Sequence, residues 1–360
     1  MNDDETQPEP ADDNAGVDDV RPGANDWLDP SSSLHRHRKR PVEPRGPLDR
    51  LRSRWRRWRR HRRKVAKNAP WYRPRNISLG LLGLVVVLIL AVVVTALIKI
   101  HGIRRAPLLP VAAATGSLGT NLVVFGSAGD SASLDLDAQT LMVQFIHIGA
   151  DYRTGQVIDF PRDLVIGEGP AAHTILDLYK TQGVVGVVGA LQSAMKVTVN
   201  HVFQTSFAGY AAVSDALGGV TIPTVAGSQH FSGPQASAYV LGDAGQTSIE
   251  TGHRYQFWSK ALLESTLKPS VVVNPFKAWS VFTSTANNIV VDDTLDDSGL
   301  IKLVWHLRSL QPARMHFFTA PNKGYATVHG DRVLRSSPID FDRLSTAIRT
   351  DNLATIGLFQ

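Results

Sequence analysis

The sequence predicts an α/β fold, a sandwich of helices around a mostly buried sheet, preceded by one transmembrane helix. Two observations predict it. From about residue 119 onward, short runs rich in Val, Ile and Phe alternate with stretches of helical periodicity. Ahead of them, NISLGLLGLVVVLILAVVVTALI (Asn76–Ile98) runs for 23 residues without a charge. About 20 suffice to cross a hydrocarbon core roughly 30 Å thick.

The N-terminal region comes first. The chain has 360 residues and a formal charge of +6, but the charge is unevenly placed. Residues 1–34 carry −9, residues 35–75 carry +16, and the rest is near −1. The high isoelectric point therefore belongs to a tail, which argues against a basic nucleic-acid-binding core. Residues 1–50, rich in Pro, Asp and Gly with few aromatics, are expected to be a disordered cytoplasmic tail. Residues 51–75 hold the run LRSRWRRWRRHRRKVAK, a basic juxtamembrane segment suited to anionic headgroups, each cation contributing roughly 1 kcal/mol near the surface. No helix-turn-helix, finger or stacking platform accompanies it, so nucleic acid is not expected as a partner.

The hydrophobic run, residues 76–98, is the expected single membrane span. It lacks the polar face of a buried core helix, and some 75 residues precede it, unlike a signal peptide. Eighteen Lys and Arg lie within residues 35–75 on its N-terminal side, against Lys99, Arg104 and Arg105 just after it. The positive-inside rule then places the N-terminus in the cytoplasm and the C-terminal domain outside the cell membrane. Trp71 and Tyr72 suit the interfacial belt. Residues 99–118 read as a spacer, and 119–355 as one domain.

Within that domain NLVVFGS (Asn121–Ser127), TLMVQFIHI (Thr140–Ile148) and QVIDF (Gln156–Phe160) read as strands, with a turn at Tyr152–Gly155. GVVGVVGALQSAM (Gly183–Met195) reads as a helix despite its glycines. NHVFQTSF (Asn200–Phe207) is a strand, GYAAVSDALGG (Gly209–Gly219) a helix stopped by paired glycines, and VTIP (Val220–Pro223) a strand. Further helices are expected at Tyr255–Leu267, Ser298–Leu310 and Phe341–Asp351.

There is no cysteine, which excludes disulfides, Cys-based zinc sites and a cysteine nucleophile. Walker, GxGxxG, HExxH and GxSxG motifs are absent, and His147 and His201 sit in strands as structural histidines. Two local features carry chemistry. Pro161-Arg162-Asp163 follows directly on a strand, where α/β proteins gather ligand-binding groups and where arginine grips phosphate bidentately. A helix cap or surface ion pair is the plainer reading. Asp130, Asp135 and Asp137 lie on a Gly/Ser-rich loop able to hold Mg²⁺ with substrate phosphates, or simply to cap and solvate itself.

These pieces, in this order, resemble the LytR-CpsA-Psr (LCP) family of cell-envelope proteins over roughly residues 119–350. The resemblance is carried by VIDFPRDLVI, ILDLYKTQGVVGVVGAL and above all VTVNHVFQTSFAGYAAVSDALGGVTIP (Val197–Pro223). SGPQASAYV (Ser232–Val240) and RYQFWSKALLE (Arg254–Glu264) occupy the places of two further family elements. The resemblance implies an LCP-like α/β/α sandwich around a central mixed sheet. It also implies a function: transfer of an anionic glycopolymer from a polyprenyl-pyrophosphate carrier to peptidoglycan during cell-wall biogenesis in Gram-positive bacteria, with Mg²⁺ and arginines neutralising the phosphates.

The sequence departs from the family at the site itself. An Arg-x-Arg pair is expected after tyrosine-valine, but the chain reads Tyr239-Val240-Leu241-Gly242-Asp243. The following Asp-x-x-Arg element reads Ser248-Ile249-Glu250-Thr251, and the two family acids are replaced by Ala128 and Gln139. What the resemblance leaves as catalytic candidates is Arg162, Asp163 and Arg254, with Asp130 and Asp137 as candidate metal ligands. Two readings stay open: a divergent Mg²⁺-dependent glycopolymer phosphotransferase, and a non-catalytic LCP-like protein that binds lipid-linked or wall polymer or scaffolds an active relative.

Overall fold

The computed structural model describes residues 74–110, 118–129, 135–167, 172–242, 245–328 and 330–352. The expected disordered tail, nearly all of the basic segment, Asp130 and Asp243 lie outside the described residues. The chain divides into two units, Met1–Gly80 and Leu81–Gln360. The described part of the first is only the opening of one helix.

That helix, α1 (Pro74–His101), contains the whole expected span. From Leu81 to Ile98 its large apolar side chains are exposed, as lipid-facing residues must be. The one hydroxyl there, Thr95 Oγ1, donates back to the Ala91 carbonyl at 2.7 Å and so needs no water. Among the described residues it is the one helix long and apolar enough to cross a membrane, which fits a single-pass anchor.

The chain then runs through strands β1 (Arg104–Ala106), β2 (Thr120–Ser127), β3 (Met142–Ile148), β4 (Gly155–Asp159), β5 (Leu164–Ile166) and β6 (His173–Thr174) to helix α2 (Ile175–Met195). β7 (His201–Ser206), α3 (Phe207–Leu217), and the hairpin β8 (Val220–Thr224) and β9 (Gly227–Phe231) follow. Next come α4 (Gly233–Leu241), α5 (Ser248–Thr266), α6 (Pro269–Val272), α7 (Pro275–Asn287), β10 (Ile289–Asp292) and α8 (Asp297–Leu307). The described residues end with β11 (Met315–Thr319), β12 (Asn322–Val328), β13 (Asp331–Ser336) and α9 (Pro338–Arg349).

Seven strands form a mixed central sheet in the order β1-β10-β7-β2-β3-β4-β11. β2 runs parallel to β7 and β4 parallel to β11, whereas β3 is antiparallel to both its neighbours. Alternation of side chains along each strand divides the core into two layers. Val123, Phe125, Val143 and Phe145 pack with Leu191 of α2 and Leu344 of α9. On the opposite face Met142 packs with Phe207, Tyr255 and Trp258, and Leu122 and Val291 with Leu300 and Leu303 of α8. This is the α/β/α sandwich with a mixed sheet that the sequence predicts.

Several elements differ from the reading of the sequence. α2 begins eight residues before Gly183, because Thr174 caps it by accepting from Asp177 N at 3.0 Å, and Gly183 (φ 65°) only kinks it. α5 begins at Ser248, where Thr247 and Glu250 form a reciprocal capping box. The spacer after the span contains an edge strand, since β1 pairs in parallel with β10, Arg104 opposite Val290. His147 is held between Asn121 (2.8 Å) and Asp351 (3.2 Å), and burial pushes its pKa below the ordinary value. That is a structural histidine.

Candidate functional site

Where β4 leaves the central sheet, a cavity of about 210 Å³ opens among the loop before β3, the Phe160-Pro161-Arg162 turn, the end of α4 and the first turns of α5. β4 is buried along its whole length, so its last residue, Asp159, is carried into the interior and lines the cavity floor. It lies opposite Gln144 in register and is 1% exposed. Neither carboxylate oxygen has a hydrogen-bond partner. Burial without compensation pushes its pKa up to about 8, so near neutrality it is mostly protonated. α5 approaches it so closely that only a glycine fits: a Cβ on Gly252 would lie 2.2 Å from Asp159 Oδ2.

Arg162 lines the cavity and is half-buried. Its carbonyl accepts from Leu176 N at 2.8 Å, which fixes the turn to the start of α2, and its guanidinium has no ion-pair partner among the described residues. Asp163 is one hydrogen bond removed from the cavity. Ser248 Oγ, at the first turn of α5, donates to its carboxylate and lies 3.1 Å from the Tyr325 hydroxyl. Arg254 is also one bond removed. Its Nη1 donates to the Tyr239 carbonyl at 2.8 Å, and its guanidinium lies 4.9 Å from the Tyr239 ring. With the Gln246 amide turned to satisfy its neighbours, Oε1 accepts from Arg254 Nε at 3.1 Å and from Thr251 N at 3.3 Å. Gly242 (φ 60°) makes this crossing possible, since any Cβ there would collide with Gln246 and Arg254.

Asp137 is likewise one hydrogen bond removed, behind the loop before β3. Its carboxylate accepts from Gln139 N at 3.0 Å and from Thr140 Oγ1 at 2.8 Å, capping a single 3₁₀ turn (Ala138–Thr140). Thr140 Oγ1 in turn accepts from Ala128 N at 2.8 Å, so the position that departs from the family acid is tied into the same loop. Among the described residues no three His, Asp or Glu side chains gather, and the Asp137 carboxylate is exposed. Asp137 could give a Mg²⁺ ion one of the several oxygen ligands it takes; the other candidate ligand, Asp130, lies outside the described residues.

Arg162, Asp163, Arg254 and Asp137 thus each line the cavity or touch a side chain that does. The departing positions are there too: Leu241, Ser248 and Thr251 form its walls. Sequence reasoning missed Asp159 and Gln246 as parts of the site, and named Ser248 only as the position of a replaced family acid. Asp159 lay in the quoted strand QVIDF, where a carboxylate ending a fully buried strand was the available signal.

Chemically, the cavity offers, among the described residues, the Arg162 guanidinium without an ion-pair partner, hydroxyls from Thr140, Ser248 and Thr251, and a buried carboxyl that donates a hydrogen bond when neutral, with the Arg254 guanidinium held as a strut behind it. Such a set suits an oxyanion such as a phosphate.

No family model matches the sequence, and no curated protein matches it either. Solved structures do match. A LytR-Csp2A-Psr enzyme from Actinomyces oris superposes with a TM-score of 0.51 at 17% identity, covering 70% of this chain and 98% of that one. TagV of B. subtilis gives 0.53 at 12% identity, with 65% and 97% covered. TagT bound to LI-WTA gives 0.50 at 14%, with 66% and 93% covered. With its mixed seven-stranded sheet between two helical layers, the chain has the fold of the LytR-CpsA-Psr proteins.

Proposed function

We propose that this is a membrane-anchored cell-wall assembly protein that holds an anionic glycopolymer at its polyprenyl-diphosphate link, with the diphosphate in the cavity beside Arg162. The observation that carries this reading is the Arg162 guanidinium, placed in the cavity without an anionic partner among the described residues. TagT, a fold relative, is a protein bound to LI-WTA, which supports a glycopolymer as ligand. In this reading the cytoplasmic basic tail sets the orientation, and the domain works outside the membrane next to peptidoglycan.

Binding is favoured over transfer because the walls have lost cations. Each absent arginine removes a charge-assisted contact of roughly 1.5–3 kcal/mol. Leu241 and Thr251 supply no replacement, and Arg254 is engaged by Tyr239 and Gln246. The second reading, a divergent phosphotransferase, draws on the convergence of Arg162 and the Asp137 loop on one cavity. There a Mg²⁺ ion would arrive with the diphosphate and share Asp137, and an acceptor hydroxyl of peptidoglycan would attack the sugar-side phosphorus, breaking its bridging P–O bond, losing its proton and expelling polyprenyl phosphate.

Full-length protein in nanodiscs, titrated with a short-chain polyprenyl-diphosphate-linked sugar with and without Mg²⁺, tests both. Binding that weakens by about tenfold or more in Arg162→Ala supports the proposal, as the loss of one charge-assisted contact requires. Unchanged affinity would sink it. Release of polyprenyl phosphate when peptidoglycan is added would establish the transferase reading instead.

A further inference from the structure

α8 is apolar on two faces. Leu300, Leu303 and Leu307, spaced at i, i+3 and i+7, pack into the core against the sheet. Ile301, Val304 and Trp305 form a second stripe that points out, with exposures of 41%, 60% and 60%. Arg308, one turn further on, lays its guanidinium 3.5 Å from the Trp305 ring centroid. Water on that face gives no reason for such a stripe, and contiguous exposed apolar residues rimmed by cations mark an interaction surface.

The position of the stripe identifies what covers it. Lys99 Nζ donates to Asn287 Oδ1 at the end of α7 (3.2 Å), and His101 Nδ1 meets Asp297 Oδ2 at the start of α8 (3.0 Å). Arg105 binds the other oxygen of Asp297 and, through Nε, the Leu295 carbonyl at 3.0 Å. Only Gly102 and Ile103 separate α1 from β1, so no free linker lets the domain swing away from the span. Ile100 and Ile103 line one apolar cavity of about 430 Å³ together with Ile301, Val304, Trp305 and Arg308. The stripe is therefore continuous with the outer end of the membrane helix, at the depth where aromatic residues and snorkelling cations settle.

We propose that the Ile301–Val304–Trp305 face of α8 docks on the lipid leaflet at the C-terminal end of the span, apolar side chains in the acyl boundary and Arg308 at the phosphates. α8 then acts as a second, interfacial contact that fixes the angle of the domain over the membrane. This does not depend on what the Arg162 cavity binds.

The absence of cysteine makes the test direct. Full-length Val304→Cys is labelled with an environment-sensitive fluorophore and reconstituted in phosphatidylcholine–phosphatidylglycerol vesicles. Val225→Cys, on the fully exposed turn between β8 and β9, serves as the reference. Lipids spin-labelled at the top of the acyl chain are expected to quench the Val304→Cys probe several-fold more than the reference, and Trp305→Glu is expected to abolish the difference. Equal quenching at the two positions, with native circular dichroism, overturns the proposal. So does protection of the probe that follows protein density in the vesicle and ignores the quencher, because the occupant is then a second copy of this chain.

Discussion

Gly252 lies against Asp159 so closely that α5 and the end of β4 are fitted to one another across the cavity floor. A methyl group there would stand 2.2 Å from Oδ2, so the buried Asp159 side chain or the 19-residue helix that holds Gly252 would have to shift. Gly252→Ala is expected to destabilise the protein by about 1–3 kcal/mol, the cost of overpacking, despite the gain of up to about 1 kcal/mol in helix propensity. In an Asp159→Ser background the clash is relieved and the propensity gain should emerge. Chemical denaturation of the four proteins checks this, and an equal effect of the alanine in both backgrounds would refute the contact.

Asp159 also makes stability depend on pH. Its folded pKa, about 8, lies above the ordinary 3.8, so between those values the folded protein keeps a proton that the unfolded chain has lost. Unfolding then releases a proton, and stability falls as pH rises, by up to about 1.4 kcal/mol per pH unit. Asp159→Asn should flatten that slope and leave the variant more stable than the parent above about pH 8. Melting temperatures from mildly acid to mildly alkaline pH check it. A parallel slope in parent and variant would show that Asp159 is not the titrating group.

The same residue shows where legibility in the sequence stops. β2, β3 and β4 are readable because both faces of the central sheet are covered, which makes their residues near-continuous apolar runs. Arg162 is readable because it follows such a strand into a turn. Asp159 is not, since its burial depends on its register opposite Gln144 and on a glycine some ninety positions later, neither of which has a local signature. α4 is missed for another reason: nine residues opening Gly-Pro carry too little periodicity, and its cap, Ser232 with Gln235, is its clearest signal. The stretch 175–182 falls to the glycine at 183, which reads as a break and is a kink inside one helix.

The two arginines of the site should separate in their effects. Arg162 has no ion-pair partner among the described residues, so Arg162→Ala is expected to change folding stability by less than about 0.5 kcal/mol while weakening binding of a diphosphate. Arg254 is the strut between the end of α4 and Gln246. Arg254→Ala strands the Tyr239 carbonyl and should cost about 1–3 kcal/mol of stability, with Arg254→Lys restoring only part because lysine lacks the fork. Paired melting and ligand-titration curves decide it. A large loss of stability in Arg162→Ala would assign that residue a structural role instead.

Asp163 acts at one remove, through Ser248. The serine hydroxyl donates to its carboxylate and meets Tyr325 of β12, whose antiparallel neighbour β13 donates from Leu334 N to the Asp163 carbonyl at 2.9 Å. The carbonyl contact survives substitution of the side chain, so only the Ser248 bond is at stake. Asp163→Ala and Ser248→Ala should each cost about 1–2 kcal/mol, and the double variant little more than either alone, a coupling on the order of 1 kcal/mol. If Asp163 touched a reacting group directly, Asp163→Ala would abolish any turnover while Ser248→Ala spared it. Equal losses of ligand affinity in both variants, with coupled stabilities, identify Asp163 as the residue that positions the α5 wall of the cavity. Strictly additive stabilities would mean that the Ser248–Asp163 bond contributes nothing.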